Sequence, residues 1–499
     1  MGTVGAMSSD GMELTVTPLS PPTESLDANP PPDDAPPSGF AGRLGWPAVI
    51  LVTLVGAALR LVDLGRPPTA VFDEVYYAGE GQNLLRHGVE WDQKQGTGAF
   101  ATNPPLGKWL IGLGEQFFGY DAFGWRISAA IAGTLSILLV MLIARRLFGS
   151  TLLACAAGLL VAMDGLHLVL SRTAMLDIFL LPFILAGFAC LVLDREWRIR
   201  RYAADDARHR VRWWLLCAGV FAGLAGAVKW SGFWFLPVYA VVALVWDAGA
   251  RRSAGAPAPW RRALRGTAPW LPAYFALAGV AYLASWFGWF ASDDGYARHW
   301  YADQHHLGHG GLDDALGSLL HYHQEVLRFW STAVATHEYG SSPPQWLLLD
   351  RAVVLAWSCG EPCGTSSQVS EVLLLGTPLL WWSFLPALVM LGWLAVARTD
   401  WRAIALALCA LAGILGPAAF GRPTFLFDAL PAEPFLVLAV VYGLDVLARR
   451  LWPARRVVVI AAYVIVVAAC FAYFYPVFVG WPLSHADWFA RMWLGERWI

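Results

Sequence analysis

The stretch "RISAAIAGTLSILLVMLIARR", residues 126–146, decides the architecture. Between Arg126 and Arg145 it carries no ionisable side chain, and at about 1.5 Å per residue its apolar run is long enough to cross a hydrocarbon layer about 30 Å thick. Such a helix belongs in a bilayer, with Arg126 at one rim and the Arg145-Arg146 pair at the other.

The same reading repeats along the chain. Of the 499 residues 57% are hydrophobic and 14% charged, mean hydropathy is +0.50, and there are 27 tryptophans. Such a composition excludes an ordinary water-soluble domain. Apolar stretches of spanning length give about eleven candidate helices, near 46–65, 126–146, 151–170, 173–193, 213–229, 232–248, 268–290, 372–396, 403–420, 427–447 and 457–479. The expected fold class is therefore all-α and polytopic.

Residues 1–42 are polar and rich in proline and serine, with acids but no Lys or Arg, and read as a disordered tail. Short basic connections at Arg145-Arg146, 195–212, Arg251 to Arg265, Arg398 with Arg402, and Arg449 to Arg456 fall on one side of the membrane together with the N-terminus. The excess of basic residues makes that side cytoplasmic. An odd number of spans then places outside the cell a first loop (66–125), a second loop (291–371) and a C-terminal tail (480–499). The net charge of -2 hides this segregation and points to no nucleic-acid partner.

Cys155, Cys190, Cys217, Cys409 and Cys470 fall in spans, where a thiol acts as a small apolar group. Cys359 and Cys363, in "CGEPC" of the second outer loop, are a candidate disulfide in an oxidising compartment.

The chemistry gathers at the outer rim. Asp73, Glu74, Lys108, Arg126, Arg172, Lys229 and Arg422 all map to outer ends of spans or outer loops, while the expected midplane is almost free of charge. A transporter keeps its binding groups near the midplane, so the pattern favours a surface site where a lipid head group meets a water-borne partner. The adjacent acids of "VFDEVYYAGE" (71–80) precede a segment that reads as an amphipathic helix on the membrane. Two neighbouring carboxylates are not both cheaply desolvated, so one is expected to hold its proton more tightly and to suit general-base work. Arg126, Arg172 in "LSRTAMLD" and Lys229 in "GAVKWSGFWF" read singly as snorkelling anchors and together as a cradle for a lipid phosphate. The stretch "HWYADQHHLGHGGLDDALGSLLHYHQE" (299–325) has a metal-binding composition, yet an interfacial helix surface is the preferred reading and no metal or other cofactor is expected to be required.

With these residues in place, the chain resembles the bacterial, actinobacterial-type protein O-mannosyltransferases of the GT-C superfamily. The resemblance rests on "FDEVYY" (72–77), "NPPLGKWLIGLGEQFFG" (103–119), "MDGLHLVLSRTAMLDIFL" (163–180), "AVKWSGFW" (227–234), "HEYGSSPPQWLLLDRAV" (337–353), "CGTSSQVSEVLLLGTPLLWW" (363–382) and "RPTFLFDALPAEPFLVLA" (422–439). It implies a GT-C fold in residues 43–499, with amphipathic helices in the outer loops. It also implies transfer of one mannose from polyprenyl phosphate mannose to Ser or Thr of a secreted protein, at the outer face of the cell membrane, with the translocon as a candidate partner.

By that resemblance Asp73 is the base and Glu74 its neighbour in the acidic pair, and Lys229 meets the donor phosphate with Arg126 and Arg172. Substrate contacts are expected from Asn103, Lys108, Trp230 and the peptide-facing His337, Tyr339, Ser341 and Trp346. Asn103 replaces the His of eukaryotic relatives, and Pro423 and Asp428 stand where Thr and Tyr are usual. The alternatives are a GT-C transferase with a glycan or lipid acceptor, and a lipid-linked sugar flippase or transporter.

Overall fold

The computed structural model describes Gly2 and residues 40–203, 211–332, 337–364, 366–420 and 423–499. The tail read at 1–42, apart from Gly2 and the start of the first helix, and Arg422 lie outside the described residues.

The chain begins with α1 (Phe40–Leu61), then enters the first long loop, which carries α2 (Glu74–His87), the short strands β1 (Trp91–Asp92) and β2 (Thr97–Gly98), and α3 (Leu106–Phe118). Three apolar elements follow as α4 (Ala122–Phe148), α5 (Thr151–Ala162) with its continuation α6 (Gly165–Leu170), and α7 (Leu176–Ala203). Next come α8 (Trp213–Val228), α9 (Phe235–Ser253), α10 (Pro259–Thr267), α11 (Leu271–Ser285) and α12 (Phe287–Ala291). The second long loop holds α13 (Trp300–His305), α14 (Leu312–Thr332), α15 (Pro343–Leu348), β3 (Val353–Cys359) and β4 (Gln368–Leu374). The last apolar helices are α16 (Pro378–Ala397), α17 (Trp401–Leu415), α18 (Glu433–Leu451) and α19 (Arg456–Val479), and the tail adds β5 (Leu483–Ser484) and α20 (His485–Phe489).

Each apolar stretch of the sequence contains a helix. Among the described residues five helices are long and apolar enough to cross a membrane by length and composition, and 45–61, 151–162, 213–228 and 401–415 are shorter apolar helices. The stretch at 372–396 begins as strand, so its helix starts only at Pro378.

Helix ends follow local chemistry. Asp121 caps α4 by accepting from the backbone N–H of Phe123 (3.0 Å) and Gly124 (2.9 Å), and Gly149 closes the helix at φ 63°. Asp400 caps α17 in the same way. In the core α7 packs between α4 and α8, and α8 packs on α11, through small residues and aliphatic side chains that are fully buried.

Two features position the site. The first is a close crossing of α2 over α3, where a Cβ on Gly112 would lie 2.6 Å from the Gly81 carbonyl oxygen and one on Gly81 2.9 Å from the Gly112 nitrogen. Only glycine on both helices permits that approach. The second is an antiparallel sheet in the order β3-β4-β5, which joins the second long loop to the C-terminal tail. The second loop thus carries a small sheet besides the helices expected there, in a chain that is mostly helical. Trp488 donates to the Glu371 carboxylate at 2.6 Å and Trp498 to the Leu349 carbonyl at 2.7 Å, fixing the tail to this lobe. A Cys359–Cys363 disulfide closes the β3–β4 hairpin.

Candidate active site

A cavity of about 960 Å³ lies between α2, the segment 100–108, the turn after α8, the end of α14 and the 417–427 segment. Asp73, Lys229, Asn103, Lys108, Trp230 and His337 all line it, although they are scattered over 265 positions of sequence.

Asp73 occupies the N-cap position of α2, yet its side chain makes no capping bond. Glu74, the first helical residue, accepts instead from the Val71 N–H ahead of the helix at 2.9 Å. The preceding residue, Phe72, sits in the left-handed region at φ 47° and packs edge-on against Phe427, which sets the direction in which Asp73 leaves the backbone. Burial pushes the Asp73 carboxyl up to about 6; Lys229 works against the shift, Asp177 adds to it, and a hydrogen bond with Tyr77 again opposes it. An acid in that range is ionised at neutral pH and still basic enough to accept a proton from an alcohol in a transition state.

Lys229 ends α8 in an extended conformation, at the point where the chain turns into a 3-10 helix at Trp230–Trp234. Its ammonium is held by Asp177 of α7 at 2.7 Å and by Asp428 at 3.1 Å, and lies 5.2 Å from the centre of the Phe427 ring. Two carboxylates and a ring face fix a cation at one spot in the cavity wall. Asp428 in turn accepts from the Phe425 N–H at 3.1 Å, so the departure from the family pattern at this position supplies an ion-pair partner.

Trp230 is oriented by a short relay. Its indole N–H donates to the Tyr282 hydroxyl at 3.1 Å, and that hydroxyl meets His323 Nε2 at 2.5 Å. The other His323 nitrogen lies 2.7 Å from the Leu319 carbonyl, so it carries the proton and Nε2 accepts. Burial holds this imidazole below its usual pKa, which keeps it neutral.

Not every expected residue reaches the cavity. Glu74 and Arg126 are fully buried outside it: Arg126 pairs with Glu74 and donates to the carbonyls of Leu64, Pro67 and Thr69. Arg172 donates to the carbonyls of Leu59, Arg60, Val62 and Asp63. Both guanidiniums are committed to tying down the chain after α1, so of the three residues expected to hold the donor phosphate Lys229 lines the cavity and Arg126 and Arg172 do not. The 337–346 segment also divides. His337 lines the cavity, whereas Trp346 is buried and donates to Ser341, and Tyr339 lies under the Arg351 guanidinium.

Sequence reasoning missed Tyr77 and Glu80, which line the cavity beside Asp73. Their spacing of four and seven residues from Asp73 is the helical signal that points to them. The histidines of 299–325 have other partners: His299 and His309 stack on each other at 4.2 Å and pair with Asp314 and Asp303, His321 stacks on Trp300, and His323 is engaged as above. Among the described residues no group of three or more His, Cys, Asp or Glu side chains is placed to hold a metal ion.

Two of the sequence motifs meet away from the cavity. The Asp164 carboxylate, in "MDGLH", accepts from the Thr377 N–H at 2.9 Å and the Trp381 indole at 2.8 Å, and Thr377 donates to the Met163 carbonyl. This junction bolts the end of β4 to the α5–α6 turn.

The bundle, with its acid and cation in one cavity beneath two long loops, defines a multi-span glycosyltransferase fold of the GT-C kind. The architecture is similar to that of the Saccharomyces cerevisiae protein O-mannosyltransferase Pmt1-Pmt2 complex bound to the sugar donor, with a TM-score of 0.73 at 14% identity, covering 90% of this chain and 92% of that one. ArnT from Cupriavidus metallidurans in the apo state is more distantly similar, with a TM-score of 0.52 at 18% identity over 91% of this chain and 72% of that one. Residues 50–249 match the family model described as dolichyl-phosphate-mannose-protein mannosyltransferase. The chain is 38% identical to the polyprenol-phosphate-mannose–protein mannosyltransferase of Mycolicibacterium smegmatis, over 93% of this chain and 95% of the relative. It is 36% identical to the protein of that name from Mycobacterium tuberculosis, over 90% and 91% of the two. The chain belongs to this protein mannosyltransferase family.

Proposed function

We propose that this chain transfers one mannose from polyprenyl phosphate mannose to a Ser or Thr hydroxyl of a secreted protein at the outer face of the cell membrane. Its N-terminus is then cytoplasmic and its C-terminus extracytoplasmic, with acceptors delivered as they leave the translocon. The observation that carries the reading is the shared cavity of Asp73 and Lys229.

In the proposed step Asp73 takes the proton of the acceptor hydroxyl as its oxygen forms a bond to the anomeric carbon, and the bond from that carbon to the lipid phosphate breaks. The electron pair leaves with the phosphate, whose growing charge faces the Lys229 ammonium. A positioned base contributes about 10²- to 10⁴-fold, and a fixed cation at the leaving group stabilises the transition state more than the ground state. One displacement inverts the anomeric centre. Asp177 and Asp428 keep the cation in place, and the step as written uses no metal.

The test uses membranes that contain the protein, labelled polyprenyl phosphate mannose and a Ser/Thr-rich peptide. Labelled peptide is expected, with its yield unchanged by a chelator, and Asp73→Asn should abolish it at equal expression. Label on a glycan or lipid instead, or movement of the donor without transfer, would overturn the reading.

A further inference from the structure

The cavity is larger than a base and a phosphate require, and its lining differs in exposure. Arg328, Ser331 and His337 are exposed. Asn103 and Glu80 are half-buried and Lys108 is only 1% exposed; these three are the floor. A polypeptide must keep both of its ends outside, so it fits the exposed lining. A single sugar is a closed object and fits the floor.

The floor carries a specific polar arrangement. Lys108 reaches Glu90 at 2.9 Å and Glu80 at 3.1 Å. Burial alone would lower the Lys108 ammonium, and the two carboxylates reverse that and raise it, so it stays charged. Glu90 lies behind, with 9% of its side chain exposed, whereas Glu80 leaves 27% exposed and is part of the cavity lining. Glu80 therefore turns its buried Oε2 back to Lys108, which balances its charge, while the rest of the side chain lines the cavity.

Position along α2 places this group one sugar away from the chemistry. Asp73, Tyr77 and Glu80 share a helix face, and seven residues advance about 10 Å along the axis. Between them Asn103 donates to the Tyr77 hydroxyl at 3.3 Å, and Trp230, whose ring stacks on His323, lines the same cavity. An acceptor-rich carboxylate, a side-chain amide and aromatic surface are what recognition of ring hydroxyls and C–H faces requires.

We propose that Glu80, held by Lys108, reads a hydroxyl of the donor sugar and determines which sugar the enzyme transfers. The inference rests on the placement of donor phosphate and base at Lys229 and Asp73 argued above, and adds the specificity of that site. A site built to accept a hydrogen bond from a hydroxyl discriminates strongly against a substrate that lacks it, because its own polar group is then left unpaired.

The experiment uses the full chain in lipid nanodiscs with a Ser/Thr peptide, polyprenyl phosphate mannose and its single-position deoxy analogues. In the wild type, loss of the hydroxyl read by Glu80 should lower kcat/KM at least about 10-fold. In Glu80→Gln the KM for the natural donor should rise about 10-fold with peptide KM unchanged, and that deoxy analogue should be used as well as the natural donor. Glu90→Gln alters the same ion pair from the side away from the cavity and should keep the wild-type discrimination.

Should Glu80→Gln melt early, Glu80→Asp replaces it, since withdrawing the carboxylate by one methylene must also erase the discrimination. Wild-type discrimination in the Glu80 variants overturns the inference, as does a rise in peptide KM at unchanged donor KM, or an equal loss of discrimination in Glu90→Gln. A wild type that transfers no mannose from the lipid donor would instead sink the functional reading itself.

Discussion

The Glu74 carboxylate and the Arg126 guanidinium are joined by two parallel hydrogen bonds, Nε to Oε1 at 2.8 Å and Nη2 to Oε2 at 2.7 Å, with neither side chain exposed to solvent. The same carboxylate accepts from the backbone N–H groups of Val71 and Ala174. Glu74 therefore fixes the segment before Asp73 to the loop before α7. Removing one partner leaves a buried charge uncompensated, which costs about 3–5 kcal/mol. Glu74→Gln and Arg126→Leu should each lower the thermal melting midpoint of the purified protein sharply, and replacing both by apolar residues should not restore it, because the carbonyls of Leu64, Pro67 and Thr69 and the N–H groups of Val71 and Ala174 then lose their partners. A single variant that melts normally but has lost catalysis would show that the pair acts chemically instead.

Asp73 gives a pH signature. Its ionised form is the proposed base, and burial sets its ionisation near 6, so kcat/KM should rise about tenfold per pH unit below 6 and level off above it. Because the folded value is raised above the unfolded one, this group favours the folded state fully below pH 4, and that contribution is lost as pH rises through 6. Asp73→Asn should therefore abolish transfer while raising the melting midpoint at pH 8 and not at pH 4. Both readouts come from one titration series with the two proteins.

Lys229 predicts a split between substrates. Lys229→Gln removes the cation at the leaving group and leaves Asp177 and Asp428 without it. Donor kcat/KM should fall about 10²- to 10³-fold, the range for loss of one preorganised charge contact, with little change in the peptide KM. Lys229→Arg keeps the charge but not the compact geometry and should fall between. Steady-state kinetics with donor and peptide varied in turn checks this.

The Asp164 junction predicts a stability effect far from the chemistry. Asp164→Ala deprives the Thr377 N–H and the Trp381 indole of their acceptor and should cost about 1–3 kcal/mol for each buried donor left unpaired. Hydrogen exchange should accelerate in β4 and the first turn of α16, and α2 should be unaffected.

Much of this organisation was written in local chemistry. The apolar runs located helices because length and hydrophobicity are properties of a single segment, and the cap at Asp121 with Gly149 marked both ends of α4. The Asp73–Glu74 pair and Lys229 stood out because charge next to apolar sequence is costly unless it is used or paired. Tyr77 and Glu80 are equally local, one and two turns from Asp73, but helical spacing shows which residues share a face and not that the face meets a cavity. The β3–β4 hairpin was hidden by the hydrophobic run 372–396, in which a buried strand leads straight into a helix and periodicity cannot separate them.

By itself the sequence determined that the chain is a helical membrane protein, since hydrophobic length and the cost of burying charge are set residue by residue. The tertiary structure decided which charges are used: it spent Arg126 and Arg172 on backbone carbonyls and an acid, turned Trp346 inward, and left Asp73, Lys229 and Glu80 facing one cavity. A cation looks the same in sequence whether it anchors a loop or meets a ligand. Only the partners brought to it by distant segments tell the two apart.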